Sequence, residues 1–141
     1  MRYKMLLFTL LLIGLNLSAQ TITIEITNIR SSKGQLLLGV YTNQPDYRNK
    51  IAIMKKTVYK VNMKEGTVTT TITGLKPGTY GIALLDDEDY DREMAFRFFL
   101  PAEGFAFSDY YHTAYSRPVF DDFKFELGKE DKKIVMKVRY L

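Results

Sequence analysis

Cysteine and tryptophan are absent from the 141 residues, and histidine occurs once, at His112. Without cysteine there is no disulfide framework and no thiol for lipid attachment, so packing alone must stabilise the fold. One histidine and no thiolate exclude the usual zinc or copper ligand sets. A large excess of charge of one sign is also missing. The formal balance is +4, and Arg2 and Lys4 at the extreme N-terminus supply part of it. Lys129, Lys132, Lys133, Lys137 and Arg139 lie close together, but Glu130 and Asp131 interrupt them. This is the pattern of a solvated strand face, not the concentrated basic stripe of a nucleic-acid binder. The nine glycines are scattered among turns, so no phosphate cradle is expected.

The longest apolar run, Met5 to Leu15, is shorter than the ~20 residues that cross a bilayer. Preceded by Arg2 and Lys4 and followed by Leu17-Ser18-Ala19, it reads as a signal peptide over residues 1–19, with cleavage after Ser18 as the variant that Leu17 leaves open. The expectation is an exported protein of the periplasm or outer cell surface, with no transmembrane anchor after cleavage. Residues 20–141 are then one domain, long enough to hold a core without staples.

What is present is period-two alternation. Ile22, Ile24 and Ile26 mark one strand, and Leu36, Leu38 and Val40 a second, with Arg30 to Gly34 as turn chemistry between them. These two predict a hairpin. Lys56 to Met63 and Thr67 to Thr73 predict another, turning at Lys64-Glu65-Gly66. Thr79 to Leu85 places Tyr80, Ile82 and Leu84 on one face, and Phe120 to Leu127 and Lys133 to Tyr140 read as the closing strands. About seven short strands and no long helical period predict an all-β fold, an antiparallel β-sandwich of prealbumin-like or immunoglobulin-like type. In Gly74-Leu75-Lys76-Pro77-Gly78-Thr79-Tyr80, Pro77 sets a turn corner, Gly78 is expected to take positive φ, and Leu75 and Tyr80 plug the core.

The same turn leading into Asp86-Asp87-Glu88-Asp89-Tyr90-Asp91, then Pro101-Ala102-Glu103-Gly104-Phe105-Ala106-Phe107-Ser108, then Arg117-Pro118-Val119-Phe120-Asp121-Asp122-Phe123-Lys124-Phe125, resembles the domain of unknown function 2141 family. The resemblance covers Ile22 to Tyr140. It implies bacterial export and a β-sandwich, and it implies no particular chemistry. Family members carry a His-Asp-Glu-Asn-Gly-Asn-Gly-like loop that looks like a calcium loop. Asp86 stands where the histidine would be, Asp89 and Asp91 replace asparagines, and Tyr90 and Arg92 replace glycines.

Two readings of the acid run stay open. Carboxylates about 6 Å apart in water repel by only ~0.7 kcal/mol, so a solvated acidic tip needs no cation. Asp87, Asp89 and Asp91 at alternate positions also suit a weak calcium site, although Arg92 stands where such loops use glycine. Calcium is the one cofactor the sequence suggests, and none is required.

Twelve of the nineteen aromatic residues fall between Tyr90 and Phe125, so that stretch needs an explanation of its own. It is either a satellite core under a long connection, with phenylalanines inside and tyrosines at its edge, or a platform of Tyr110, Tyr111 and Tyr115 for an unidentified glycan, peptide or protein. No catalytic residues are expected. Ser108, His112 and Asp109 or Asp121 follow no nucleophile-elbow pattern, and Glu103 more naturally bonds backbone amides of its own loop than pairs with Asp87 as in a glycosidase. The expectation is a non-catalytic binding or accessory module. The alternatives are a hydrolase with its site in residues 86–118, and an assembly protein pairing through the edge of the strand Val68 to Thr73.

Overall fold

A computed structural model describes residues 19–141. The expected signal peptide therefore lies outside the described residues, apart from Ala19. The chain folds as an all-β sandwich of mainly antiparallel sheets, with strands β1 (Ile22–Thr27), β2 (Gln35–Tyr41), β3 (Met54–Tyr59), β4 (Val68–Ile72), β5 (Gly78–Asp87), β6 (Phe96–Arg97), β7 (Leu100–Pro101), β8 (Gly104–Phe107), β9 (Lys124–Leu127) and β10 (Lys132–Lys137). Three short helical turns join them: α1 (Gln44–Arg48), a 3-10 turn at Lys60–Asn62, and α2 (Phe120–Phe123).

One main sheet has the order β10-β1-β4, the other runs β3-β2-β5-β8 with β9 also pairing with β5, and β6 and β7 form a small hairpin sheet of their own. Ile22, Ile24, Ile26, Ile134 and Met136 of the first face Leu36, Leu38, Val40, Ile82 and Leu84 of the second in one buried cluster. The alternation thus assigns the inward faces correctly. It does not assign partners, and both expected hairpins are corrected. β1 lies in one sheet and β2 in the other, so residues 28–34 cross between sheets. β3 pairs with β2 and β4 with β1, so the Lys64–Thr67 turn joins strands of different sheets. β1 also pairs with β10 in parallel, the exception to the antiparallel pattern.

The turn before β5 is held by the Tyr80 hydroxyl, which donates to the Lys76 carbonyl at 2.6 Å. Gly74, not Gly78, takes the positive φ, at 85°. The expected strand Phe120 to Leu127 begins as a helical turn, because the Asp122 carboxylate reaches back to the Val119 amide at 3.0 Å and starts α2. β4 is an edge strand, with Thr69 and Thr71 exposed.

Candidate functional site

The outer face of the larger sheet carries a second apolar layer. Tyr47 from α1, Phe107 from β8, and Phe120 and Phe123 from α2 are buried together, with ring centroids 4.9 Å apart for Tyr47–Phe123 and 5.0 Å for Phe107–Phe123. Gly81 makes this possible: a Cβ there would sit 2.7 Å from the Phe123 ring, so α2 rests directly on the β5 backbone. Asn43 caps α1 by accepting from the Asp46 amide at 2.9 Å, which fixes the helix that delivers Tyr47. This is the satellite core under the long connection. Tyr110 packs at its edge.

The layer covers only part of the sheet. Beside it a groove of about 780 Å³ runs over Leu37, Gly39, Ala83, Leu85 and Phe105, walled by Phe96 and Phe99 of the β6–β7 hairpin and by residues 114–118. Lys50, Lys55, Arg92 and Arg117 line it, with Glu93 as the one acidic side chain and Leu141 also at its edge. Lys56 also borders it, but its ammonium is bonded to the Thr71 carbonyl. Arg117 lies 4.1 Å over the Tyr47 ring and donates to the Tyr47 carbonyl at 2.7 Å, which braces the wall. No ion pair among the described residues includes Lys50, Lys55 or Arg92.

The hairpin itself is strained. Arg97 pairs with Leu100 across a two-residue turn whose central residues, Phe98 and Phe99, have φ of 50° and 67°. Such turns favour Asn-Gly, because a bulky residue at positive φ costs roughly 1–2 kcal/mol. Both rings are nevertheless held out in solvent, at 84% and 99% exposure. Local strain and exposed apolar surface thus coincide at one tip.

Beside the groove, at the end of β5, the acid run splits. Asp86 and Asp87 belong to β5 and are fully buried, while Asp89 and Asp91 are exposed, so the expectation of a tip solvated throughout is corrected. Asp86 forms a buried ion pair with Lys60 and accepts from the Tyr140 hydroxyl at 2.5 Å. Burial, then the bond to Asp86, pushes the Tyr140 hydroxyl well above its usual range. Lys60 also donates to the Lys33 carbonyl at 2.6 Å and the Ser31 carbonyl at 3.0 Å, so its ammonium is fully used. Arg30 grips Glu88 through two bonds, at 2.8 and 2.9 Å, which holds the Glu88 carboxyl below its ordinary range. Glu103 accepts from the Glu88 amide at 3.1 Å and the Ala95 amide at 3.2 Å, tying both ends of the acid loop to β8 as its sequence position suggests. Burial raises its carboxyl, the two amides oppose that, and the nearby Asp89 and Asp87 charges add to the rise.

Among the residues singled out from sequence, Asp87, Asp89 and Asp91 come together, with one carboxylate oxygen of each within 4.8 Å of the others. Each of the three tyrosines has a neighbour of its own. Tyr110 lies beside His112 at 5.8 Å, Tyr111 takes the Lys137 ammonium at 4.9 Å, and Tyr115, which lines the groove, takes Arg139 at 5.8 Å. Ser108 donates to the Phe123 carbonyl at 2.6 Å and accepts from the Ile82 amide at 2.9 Å. His112 Nε2 bonds the Ser116 carbonyl, so that nitrogen must carry the hydrogen and donate. Asp109 accepts from the Val135 amide at 2.8 Å, and Asp121 pairs with Lys124 at 3.0 Å. These four side chains are each committed elsewhere and do not form a triad.

The groove has no simple sequence signature, because its floor is built from residues that alternate out of phase with the core: Leu37, Leu85 and Phe105. Apolar residues at both parities of β2 and β5 were the available signal, since a strand with one wet face does not spend leucines on it.

The fold and site define an antiparallel β-sandwich with a walled groove on one sheet and a buried polar cluster at its end. The chain belongs to the family described as "Uncharacterized protein conserved in bacteria (DUF2141)", whose model matches residues 24–135. No curated protein and no solved structure matches the chain.

Proposed function

We propose that this protein is an exported, non-catalytic binding module of the periplasm or outer surface that holds an amphipathic anion, its apolar body on the sheet floor and its charged head among Lys50, Lys55 and Arg92. The carrying observation is the groove itself. Its floor is apolar, its wall is a strained aromatic hairpin, and its cationic side chains outnumber its one acidic side chain. Ligand sites of this size combine an apolar lining with a few polar groups that fix orientation. The non-catalytic part of the reading draws support from Ser108 and His112, whose polar atoms are engaged with backbone groups and a tyrosine hydroxyl. Export draws support from the basic, apolar and small-residue segments of residues 1–19.

Isothermal titration with three ligands sharing one alkyl chain tests the proposal: a carboxylate, a neutral glucoside and a quaternary ammonium, all below their micelle concentrations. The carboxylate is expected to bind most tightly, and Lys55→Glu to erase its advantage over the glucoside. Equal binding of all three would refute the charge selection, and binding of none would refute the groove as a lipid-like site.

A further inference from the structure

The acid loop contains a buried oxygen that the protein does not satisfy. Asp87 is 0% exposed. Its Oδ2 accepts from Gln35 Nε2 at 2.7 Å and from the Arg92 amide at 3.3 Å, while Oδ1 has no hydrogen-bond partner. Asp86 Oδ1, the other buried oxygen without a hydrogen bond, is compensated by the Lys60 ammonium. Asp87 has no such cation: none of the ion pairs among the described residues includes it. A buried carboxylate in that condition is costly, by several kcal/mol for an uncompensated ion.

The surroundings tighten the problem. Gly34 comes so close that a Cβ there would lie 2.0 Å from the Asp87 carbonyl oxygen, so no side chain from that flank can reach in. Asp89 and Asp91 are the nearby acids: one carboxylate oxygen each of Asp87, Asp89 and Asp91 lies within 4.8 Å of the others. Each also accepts one loop amide two residues on, Asp89 from Asp91 at 3.2 Å and Asp91 from Glu93 at 2.7 Å. A sharp bend at the sixth position is what a calcium loop needs glycine for. Here Arg92 itself adopts positive φ, 64°, and Tyr90 does so at 65°. The requirement is conformational, and this chain meets it without glycine.

We propose that Asp87, Asp89 and Asp91 bind a divalent cation, Ca²⁺ in preference to Mg²⁺, with the unpartnered Asp87 oxygen as the inner ligand. The donors are all hard oxygens, which excludes softer metals. Two of the three carboxylates are exposed, leaving room for the waters that complete a shell of about six to eight oxygens, a geometry Ca²⁺ accepts more readily than Mg²⁺. The site also has a position that matters. Asp87 lies two residues beyond Leu85 on β5, hence on the groove face of the sheet, and Arg92, Glu93 and Met94 of the same loop line the groove. The ion would therefore fix one wall of the groove. The assignment does not rest on what the groove binds.

Calorimetric titration of the purified protein with CaCl₂, and separately MgCl₂, tests it. The expected Kd for Ca²⁺ is about 10⁻⁴ to 10⁻³ M, the range of extracellular calcium modules, with a rise in melting temperature on saturation. Because Asp87 is buried, its substitution would test folding as well as binding, so the deciding variant changes only exposed ligands. Asp89→Asn with Asp91→Asn should weaken Ca²⁺ about tenfold or more. Asp121→Asn with Glu130→Gln, removing equal charge elsewhere, should leave it unchanged. Absence of both heat and melting shift at millimolar Ca²⁺ would overturn the proposal, and so would binding that survives the first pair or is lost equally in the second.

Discussion

Lys60, Asp86 and Tyr140 show how single residues hold the end of the sandwich. A lysine buried with its ammonium bonded to an aspartate and two carbonyls tolerates no half measures. Lys60→Met is expected to cost about 3–5 kcal/mol in urea unfolding, because it strands the Asp86 charge. Adding Asp86→Leu and Tyr140→Phe should recover most of that loss. A cost for the single change below ~1 kcal/mol would contradict the account.

Tyr140 makes a second, pH-dependent prediction. Its folded hydroxyl is held above the value near 10 at which the unfolded chain ionises. The unfolded state therefore releases its proton first, and stability is lost as pH rises above about 10. Tyr140→Phe should lower stability by about 1–3 kcal/mol at neutral pH, and the gap to the native protein should narrow in alkali. None of this cluster is legible in the sequence. Lys60 sits in an ordinary polar stretch, and Tyr140 is eighty residues from it; only the crossing between sheets brings them together.

At the scale of elements, alternation identifies which residues point inward but not which strands are neighbours. Ile22 to Thr27 was legible as a strand because its isoleucines repeat every second residue. Its partner, β10, lies over a hundred residues away, and nothing local distinguishes it from the nearer β2. The Phe120 to Leu127 segment misleads for a local reason: Asp121 and Asp122 favour a turn, and only Lys124 onward continues as strand. The β6–β7 hairpin was invisible because its turn residues violate turn preferences. Phe98→Asn with Phe99→Gly restores those preferences, so it should stabilise the protein by about 1–2 kcal/mol in thermal unfolding while weakening alkyl-carboxylate binding several-fold. Gain of stability without loss of binding would place the contact elsewhere.

Over the whole molecule, the sandwich divides its labour between faces. The inner faces of both sheets form one core, the smaller sheet turns threonines and lysines with Val135 among them to solvent, and the larger sheet bears an apolar outer layer left incomplete over the groove. The part of the groove contributed by residues 86–118 was readable as an unusual stretch from the aromatic crowding there. The chemistry of the groove was not, because the floor comes from β2 and β5, and the cations Lys50 and Lys55 from a connection and strand far upstream.

The measurement that tests the central claim most directly is a nuclear magnetic resonance titration of the ¹⁵N-labelled protein with a medium-chain carboxylate. The account predicts saturable shifts at Leu37, Lys55, Ala83, Leu85 and Phe105, and at the Phe98–Phe99 turn, with β1, β4 and β10 unmoved. Shifts confined to those three strands, or none at any site, would contradict it.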